Sequence, residues 1–171
     1  MDFILRPWQT YDAKSLAASA NDYRIASNLR NAFPHPYTIE DAEWFIADCV
    51  RRDGDGCLMR AIEIDGRAVG SVSVSVMSDV YEKSAELGYW LAEEYWGLGV
   101  MTAAVAEICR EAFKTFDIVR IFAEPFAYNE GSRQVLEKNG FTLEGIMRNG
   151  IYKFGNLCDY CIYSILKEEI R

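Results

Sequence analysis

The order of strands and helices along this chain predicts an α+β fold: a mixed, mostly antiparallel sheet of about seven strands, flanked by helices. Three predicted strands precede the first strand-helix-strand unit, and two more strands follow the last helix. A doubly wound parallel fold would instead alternate strands and helices throughout. The 171 residues contain 50% apolar side chains, which is enough for one ordinary globular core.

The first half of the chain carries clear signals for a helix and a hairpin. Thr38 with Asp41 three residues later predicts a helix N-cap, and apolar residues then recur at helical spacing. Asp65-Gly66 supplies the positive φ angles that a tight hairpin turn needs. The predicted elements are a strand over residues 3–6, helices over 12–20, 22–30 and 39–52, and strands over 58–64, 68–77 and 85–91.

The second half begins with a helix that is entered through glycines. The predicted elements are a helix over 97–116, a strand over 118–126, a helix over 130–139, and strands over 141–147 and 157–166. No low-complexity stretch, linker or repeat interrupts the pattern. We therefore expect residues 1–171 to form a single domain.

The charge balance argues against two classes of partner. Eighteen basic and 26 acidic residues give a net charge of −8. Binding to nucleic acid or to anionic lipid needs a basic face, so neither is expected as a partner, and cationic substrates are favoured. We expect no metal site, because Cys158 and Cys161 lie three apart in a predicted strand and so point to opposite faces.

The sequence also predicts a cytoplasmic protein. No apolar run approaches the roughly 18 residues of a membrane helix, and the N-terminus does not resemble a secretory signal. The five cysteines are scattered and odd in number, which favours reduced thiols over a disulfide framework.

Gly97 and Gly99 lie between a predicted strand and a predicted helix. There, unpaired backbone N–H groups and the helix dipole converge on one spot that can bind phosphate. The alternative is a plain left-handed turn without a ligand. A nucleotide-binding P-loop would need a lysine after the glycines, and a dinucleotide fold would need a third glycine at Thr102.

Three segments give the chain a resemblance to a known family. They are AELGYWLAEEYWGLGVMTAAV at residues 85–105, NEGSRQVLEKNGF at 129–141, and LEG at 143–145 with the last strand. In these segments the chain resembles the GNAT superfamily of acetyl-CoA-dependent N-acetyltransferases. It is most similar to the branch of ribosomal-protein N-terminal acetyltransferases and their small-amine relatives. The resemblance implies direct transfer of an acetyl group from acetyl-CoA to a primary amine within a ternary complex.

The resemblance also implies where the cofactor lies. The family's pyrophosphate motif falls on residues 96–101, and its pantetheine lies between two splayed parallel strands, beside a bulge at Gly88. Trp96, Leu98 and Met101 depart from the motif, so phosphate binding would rest on backbone N–H groups. The implied cofactor contacts are Tyr89, Trp90, Leu91, Ala92, Gly97, Leu98, Gly99, Val100, Met101, Thr102, Asn129 and Ser132.

Two residues are candidates for catalysis. Glu86 is a carboxylate between apolar neighbours, which favours general-base work, although an exposed edge glutamate would give the same pattern. It aligns with the catalytic glutamate of histone-acetylating relatives. Ser132, in Asn129-x-x-Ser132, matches the proposed acid of the resembling branch, whereas Leu136 replaces the tyrosine that many relatives use. A second glutamate of the ribosomal-protein enzymes would fall near Ile151 and is missing.

Several alternatives stay open. His35 stands in a proline-flanked turn, where a rigid turn or a wall of the substrate site is a better interpretation than catalysis. A non-catalytic acetyl-CoA binder or sensor would explain Leu98, Met101 and Leu136. A dinucleotide-binding oxidoreductase would need a glycine at Thr102. The amine acceptor is open between a protein N-terminus and a small cationic amine, and the oligomer between a monomer and a homodimer.

Overall fold

One sheet of seven strands extends from Ile4 to Leu166 in this computed structural model, which describes residues 1–170. The strands are β1 (Ile4–Pro7), β2 (Cys57–Ile64), β3 (Arg67–Val76), β4 (Ser84–Leu91), β5 (Arg120–Ala123), β6 (Thr142–Lys153) and β7 (Asn156–Leu166). Their order is β1-β2-β3-β4-β5-β7-β6, and among these pairs β4 and β5 are parallel while the others are antiparallel. The predicted mixed, mostly antiparallel sheet of about seven strands is confirmed.

Five α-helices lie within residues 1–170. They are α1 (Ala13–Ala20), α2 (Tyr23–Ala26), α3 (Ile39–Arg52), α4 (Val100–Thr115) and α5 (Glu130–Lys138). Helix α3 has its predicted bounds because Thr38 Oγ1 accepts from the Asp41 N–H while the Asp41 carboxylate accepts from the Thr38 N–H. Within residues 1–170 no helix has both the length and the apolar character needed to cross a bilayer.

Each face of the sheet buries its own core. Leu87 of β4 packs with Ile108 of α4 in one core, whereas Trp90 of β4 packs with Leu16 of α1 and Ile46 of α3 in the other. Side chains alternate across a strand, which is why Leu87 and Trp90 point to opposite sides. We call the two sides the α4 face and the α3 face. Helix α5 joins the α4 face, where its Leu136 is fully buried.

The β2–β3 hairpin is confirmed, since Asp65 and Gly66 have φ angles of +49° and +74°. Two other predicted elements are wrong in length. The predicted helix over residues 22–30 keeps its α-helical form through Ala26 and then tightens, as the N–H groups of Asn28 and Leu29 bond three residues back. The predicted strand over 141–147 instead continues to Lys153, past a register shift after Met147.

Strand β5 is shorter than the predicted 118–126 and separates from β4. Pairing between the two strands covers three registers and ends at Glu86 opposite Phe122. Strand β4 continues to Leu91, whereas β5 stops at Ala123 and is followed by Pro125, which has no N–H to donate. The bulge expected at Gly88 is wrong, because Gly88 pairs with Ser73 in regular register. Because β5 ends while β4 continues, a gap opens between the two strands, which we call the wedge.

Candidate active site

A cavity of about 1270 Å³ occupies the wedge between β4 and β5. Its walls come from both sides of the sheet: the glycine turn before α4, the start of α5, the loop after α2, and α3. Such a volume exceeds the roughly 300–1,000 Å³ of an ordinary small-ligand pocket, so it is large enough for two ligands that meet.

The glycine turn aims backbone donors into this cavity. Gly97 and Gly99 have φ angles of +73° and +81°, which side chains rarely adopt, and an added Cβ on either would meet nothing within 4 Å. Backbone conformation is therefore what requires glycine here. Helix α4 begins at Val100 without a side-chain cap, so its first-turn N–H groups have no partner within the helix. This is the arrangement that binds anions.

The residues that depart from the family motif do not block the turn. Met101 is 8% exposed, its side chain packs into the core of the α4 face, and the residue also lines the cavity. Val100 and Thr102 also line the cavity. Leu98 is 49% exposed and lies outside the cavity lining. Trp96 donates from Nε1 to the Leu91 carbonyl oxygen at 2.7 Å and so ties the turn to the end of β4.

The edge of β4 offers backbone groups on alternate residues. The Ala92 N–H donates to the Val69 carbonyl of β3 at 2.8 Å. By the alternation of an antiparallel ladder, the backbone groups of Trp90 also face β3, and those of Tyr89 and Leu91 face the wedge. Of the four residues that the resemblance implied, Tyr89 and Leu91 thus have backbone groups toward the cavity. Trp90 lines it with its side chain, and Ala92 is outside the lining.

Glu86 lies on the α3 face, at the point where β4 and β5 part. Its carboxylate accepts from the Arg30 guanidinium, which also donates to Glu124 Oε2 at 2.9 Å. Both carboxylates are less than a third exposed, whereas the Arg30 side chain is 63% exposed. Burial lowers the pKa of Arg30, but the hydrogen bond and charge of Glu86 and the charge of Glu124 outweigh it, and the pKa is raised.

Ser132 lies on the opposite side, at the start of α5. Its N–H donates to Asn129 Oδ1 at 3.1 Å, so Asn129 caps the helix, as Asn residues favour. The Ser132 Oγ is 2.8 Å from the Tyr89 hydroxyl. Asn129, Ser132 and Tyr89 all line the cavity. Glu86 and Ser132 therefore approach one space from two faces of the sheet.

Sequence reasoning missed four features of the site. Arg30 and Glu124 were not predicted, and the Tyr89 side chain was not considered for its hydroxyl. The fourth is a row of serines on β3, Ser71, Ser73 and Ser75, which also lines the cavity. The serines repeat every second residue, which is the signal of one polar strand face. Arg30 carries no such local signal, because its partners are 56 and 94 residues away.

The residues given less weight lie away from this chemistry. His35 is exposed and outside the cavity lining, and its ring centroid is 5.8 Å from that of Tyr23. Cys158 and Cys161 are free thiols on β7. Within the described part of the chain, no three His, Cys, Asp or Glu side chains cluster closely enough to hold a metal ion.

Comparison with known proteins identifies the family. Residues 2–142 match the family model described as acetyltransferase (GNAT) domain. The chain belongs to the GNAT acetyltransferase family. The match ends shortly after the start of β6, so it includes the glycine turn, the wedge and α5.

Individual relatives agree with this assignment. The protein named "Putative ribosomal N-acetyltransferase YdaF" of Bacillus subtilis (strain 168) is 39% identical over 105 residues, which are 61% of this chain and 57% of that protein. The matched region thus spans less than two thirds of that relative. A crystal structure titled "Probable acetyltransferase" superposes with a TM-score of 0.84 at 30% identity and covers 98% of this chain and 94% of that one.

A third GNAT relative was solved with a ligand. Mycobacterium smegmatis RimJ in complex with CoA-disulfide is 26% identical, with a TM-score of 0.85 over 98% of this chain and 83% of that one. That structure holds a CoA derivative on a similar fold.

Proposed function

We propose that this GNAT protein is an N-acetyltransferase, which moves an acetyl group directly from acetyl-CoA to a primary amine within a ternary complex. The observation that carries the proposal is one continuous cavity that joins the glycine turn to Glu86 and Ser132 through the β4–β5 wedge. The CoA derivative in the RimJ relative supports acetyl-CoA as the co-substrate. We take residues 1–171 as one domain, and the cytoplasm as its location, where free thiols persist.

The donor half of the proposed site is made of backbone. The N–H groups of the turn and of Val100, Met101 and Thr102 bind the pyrophosphate, helped by the dipole of α4. The backbone of Tyr89 and Leu91 lies along the pantetheine, with Asn129 opposite. Acetyl-CoA supplies the activated thioester, and an N–H of the β4 edge stabilises negative charge as it develops on the thioester oxygen.

The acceptor half is made of charged side chains. An ammonium group must lose a proton before its nitrogen can attack, and its ordinary pKa is about 7.7–8 for an α-amino group or about 10.4 for a lysine side chain. Glu86 removes this proton through water, and Ser132 donates a hydrogen bond to the leaving sulfur. Glu86, Glu124 and the net charge of −8 favour a cationic acceptor. The name of the YdaF relative supports a ribosomal protein N-terminus, and a small amine is the alternative.

Calorimetric titration of the protein with acetyl-CoA, CoA and NADH tests the proposed donor half first. We expect acetyl-CoA and CoA to bind and NADH not to bind. Gly99→Ala should raise the Kd for acetyl-CoA about tenfold. An alanine in the left-handed conformation costs roughly 1–2 kcal/mol, and the backbone relieves this strain by rotating the N–H groups of the turn away from the pyrophosphate. Gly155→Ala is the matched control, since Gly155 has a φ of +82° and open space but lies in the β6–β7 turn. Its Kd should match that of the unchanged protein.

An amine panel then tests transfer by release of the CoA thiol. We expect release with peptides that carry a free N-terminus or with small cationic amines, and none with N-acetylated peptides. Binding of acetyl-CoA without thiol release from any amine would favour a sensor over an enzyme. Failure to bind acetyl-CoA and CoA would contradict the whole proposal.

A further inference from the structure

We propose that the Tyr89 hydroxyl is a positioning group for the transfer reaction: it turns the Ser132 hydroxyl toward the leaving sulfur. The inference rests on the proposed function and adds a residue to its donor half. Tyr89 was expected to contribute backbone groups alone, and it lies outside the pyrophosphate motif at residues 96–101.

Three contacts hold the pair in place. The Tyr89 Oη lies 2.8 Å from Ser132 Oγ and 3.2 Å from the Ser132 carbonyl oxygen. The Ser132 N–H is held by Asn129 Oδ1. Tyr89 projects from β4 on the α4 face, where it packs against the core. A residue of the wedge edge thus reaches across the cavity to the first turn of α5.

The phenol has one proton and two acceptors within reach. When it donates to Ser132 Oγ, the Ser132 proton is free to point into the cavity that both residues line. When it donates to the Ser132 carbonyl, the Ser132 hydroxyl donates back to the phenol instead. The first arrangement alone presents a donor to the sulfur. Burial raises the pKa of Tyr89 despite its hydrogen bond with Ser132, so the phenol keeps its proton at neutral pH.

Without the phenol, Ser132 has a competing partner. A serine in a helix can bond the carbonyl three or four residues earlier, here that of Asn129 or Tyr128. The contact with the Tyr89 hydroxyl at 2.8 Å holds Ser132 Oγ in a rotamer that is directed at Tyr89 rather than at either carbonyl. The proton count of the reaction is unchanged: as the carbon–sulfur bond breaks, its electron pair goes to sulfur. Of the two protons that the ammonium group loses, one leaves through Glu86 and water to solvent, and the other balances the thiol that forms.

A double-mutant cycle tests whether Tyr89 acts through Ser132. Tyr89→Phe should lower kcat about tenfold, as the loss of one hydrogen bond predicts, and should change the KM for acetyl-CoA by less than about twofold. Ser132→Ala should lower kcat about 100-fold, as for the loss of one hydrogen-bond donor to developing negative charge. The double variant should be no slower than Ser132→Ala. Ser132→Thr keeps a hydroxyl, and on that background Tyr89→Phe should still reduce kcat.

Tyr163→Phe is the matched control. The Tyr163 hydroxyl also braces α5, as it donates to Glu137 at 2.8 Å and accepts from Arg133 Nε at 3.1 Å, but it lies outside the cavity lining. If bracing of α5 were the role of Tyr89, both tyrosine variants would lose kcat alike. That result, or losses that multiply in the double variant, would overturn the inference. Absence of thiol release by the unchanged protein would overturn the proposed function with it, whereas normal turnover by Tyr89→Phe would overturn this inference alone.

Discussion

The two faces of the sheet meet the same cavity with different chemistry. On the α4 face, the groups around the glycine turn and the start of α5 include backbone N–H groups and the hydroxyls of Tyr89 and Ser132, with Lys138 farther along α5. On the α3 face, the groups where β4 and β5 part are the carboxylates of Glu86 and Glu124, joined by Arg30. Neutral donors suit an acyl donor that carries phosphates, and carboxylates suit an acceptor that arrives as a cation. In the proposed reaction, the two faces of one sheet therefore bind two substrates of opposite charge.

The largest effect on kcat is expected from Glu86→Gln, a change on the α3 face. The amide keeps the shape of the side chain but cannot take a proton, so kcat should fall about 100-fold near neutral pH, as for the loss of a general base. The Kd for acetyl-CoA should stay the same, because the proposed donor half lies on the other face. Steady-state thiol release and calorimetry measure the two quantities.

Glu144→Gln is the control for this change. Glu144 pairs with Arg120 at 2.5 Å but lies on β6, outside the cavity lining. It should leave kcat unchanged. If Glu86→Gln kept the kcat of the unchanged protein from about pH 6 to about pH 9, the assignment of Glu86 as base would be wrong. If Glu86→Gln raised the Kd for acetyl-CoA, the assignment of the donor and acceptor halves to different faces would be wrong.

The α4 face could be predicted from sequence because its signals are local. The glycine turn is contiguous, and Asn129-x-x-Ser132 fits within one helical turn. Met101 looked like a defect in the turn because sequence does not tell which way a side chain points, and the fold buries it in the core.

The α3 face could not be predicted in the same way. Glu86 stood out as a carboxylate in an apolar strand, but Arg30 and Glu124 join it through contacts across 56 and 94 residues. The predicted helix over residues 22–30 would have placed Arg30 on a regular helix, whereas the helix ends at Ala26 and the loop carries Arg30 to the wedge. Likewise, the strand predicted over 118–126 is too long. The structure ends β5 at Ala123, and this early end opens the cavity beside Glu124.

A smaller effect is expected from Arg30→Gln. The guanidinium competes with an incoming ammonium for the same two carboxylates, so its removal should lower the KM for a cationic amine about threefold. The free energy of unfolding should change by less than about 1 kcal/mol, because the side chain is 63% exposed. Steady-state kinetics with one amine and thermal unfolding measure both.

Arg67→Gln is the matched control, because Arg67 is an exposed arginine, and both it and its partner Glu94 lie outside the cavity lining. Its KM for the amine should equal that of the unchanged protein. A rise in KM for Arg30→Gln would mean that Arg30 itself binds the acceptor. The acceptor would then carry a negative charge, and the contrast between the two faces would be lost.

The smallest effect on activity is expected at the thiols, which test whether the faces differ in burial as well as in chemistry. Cys49 of α3 and Cys109 of α4 lie one on each face, and burial raises the pKa of each to about 12. Near pH 8 about one in ten thousand of either thiol is ionised, so a disulfide reagent should not label them in the folded protein. Cys158 is partly exposed and should react first, and Cys158→Ser should remove that phase without a change in kcat.

Equal protection of Cys49 and Cys109 would mean that the two cores are equally closed to water and that the difference between the faces lies in the groups at the cavity. Fast labelling of Cys109 would instead show that the α4 face opens, and the backbone donors of the glycine turn would then not be held in a fixed position.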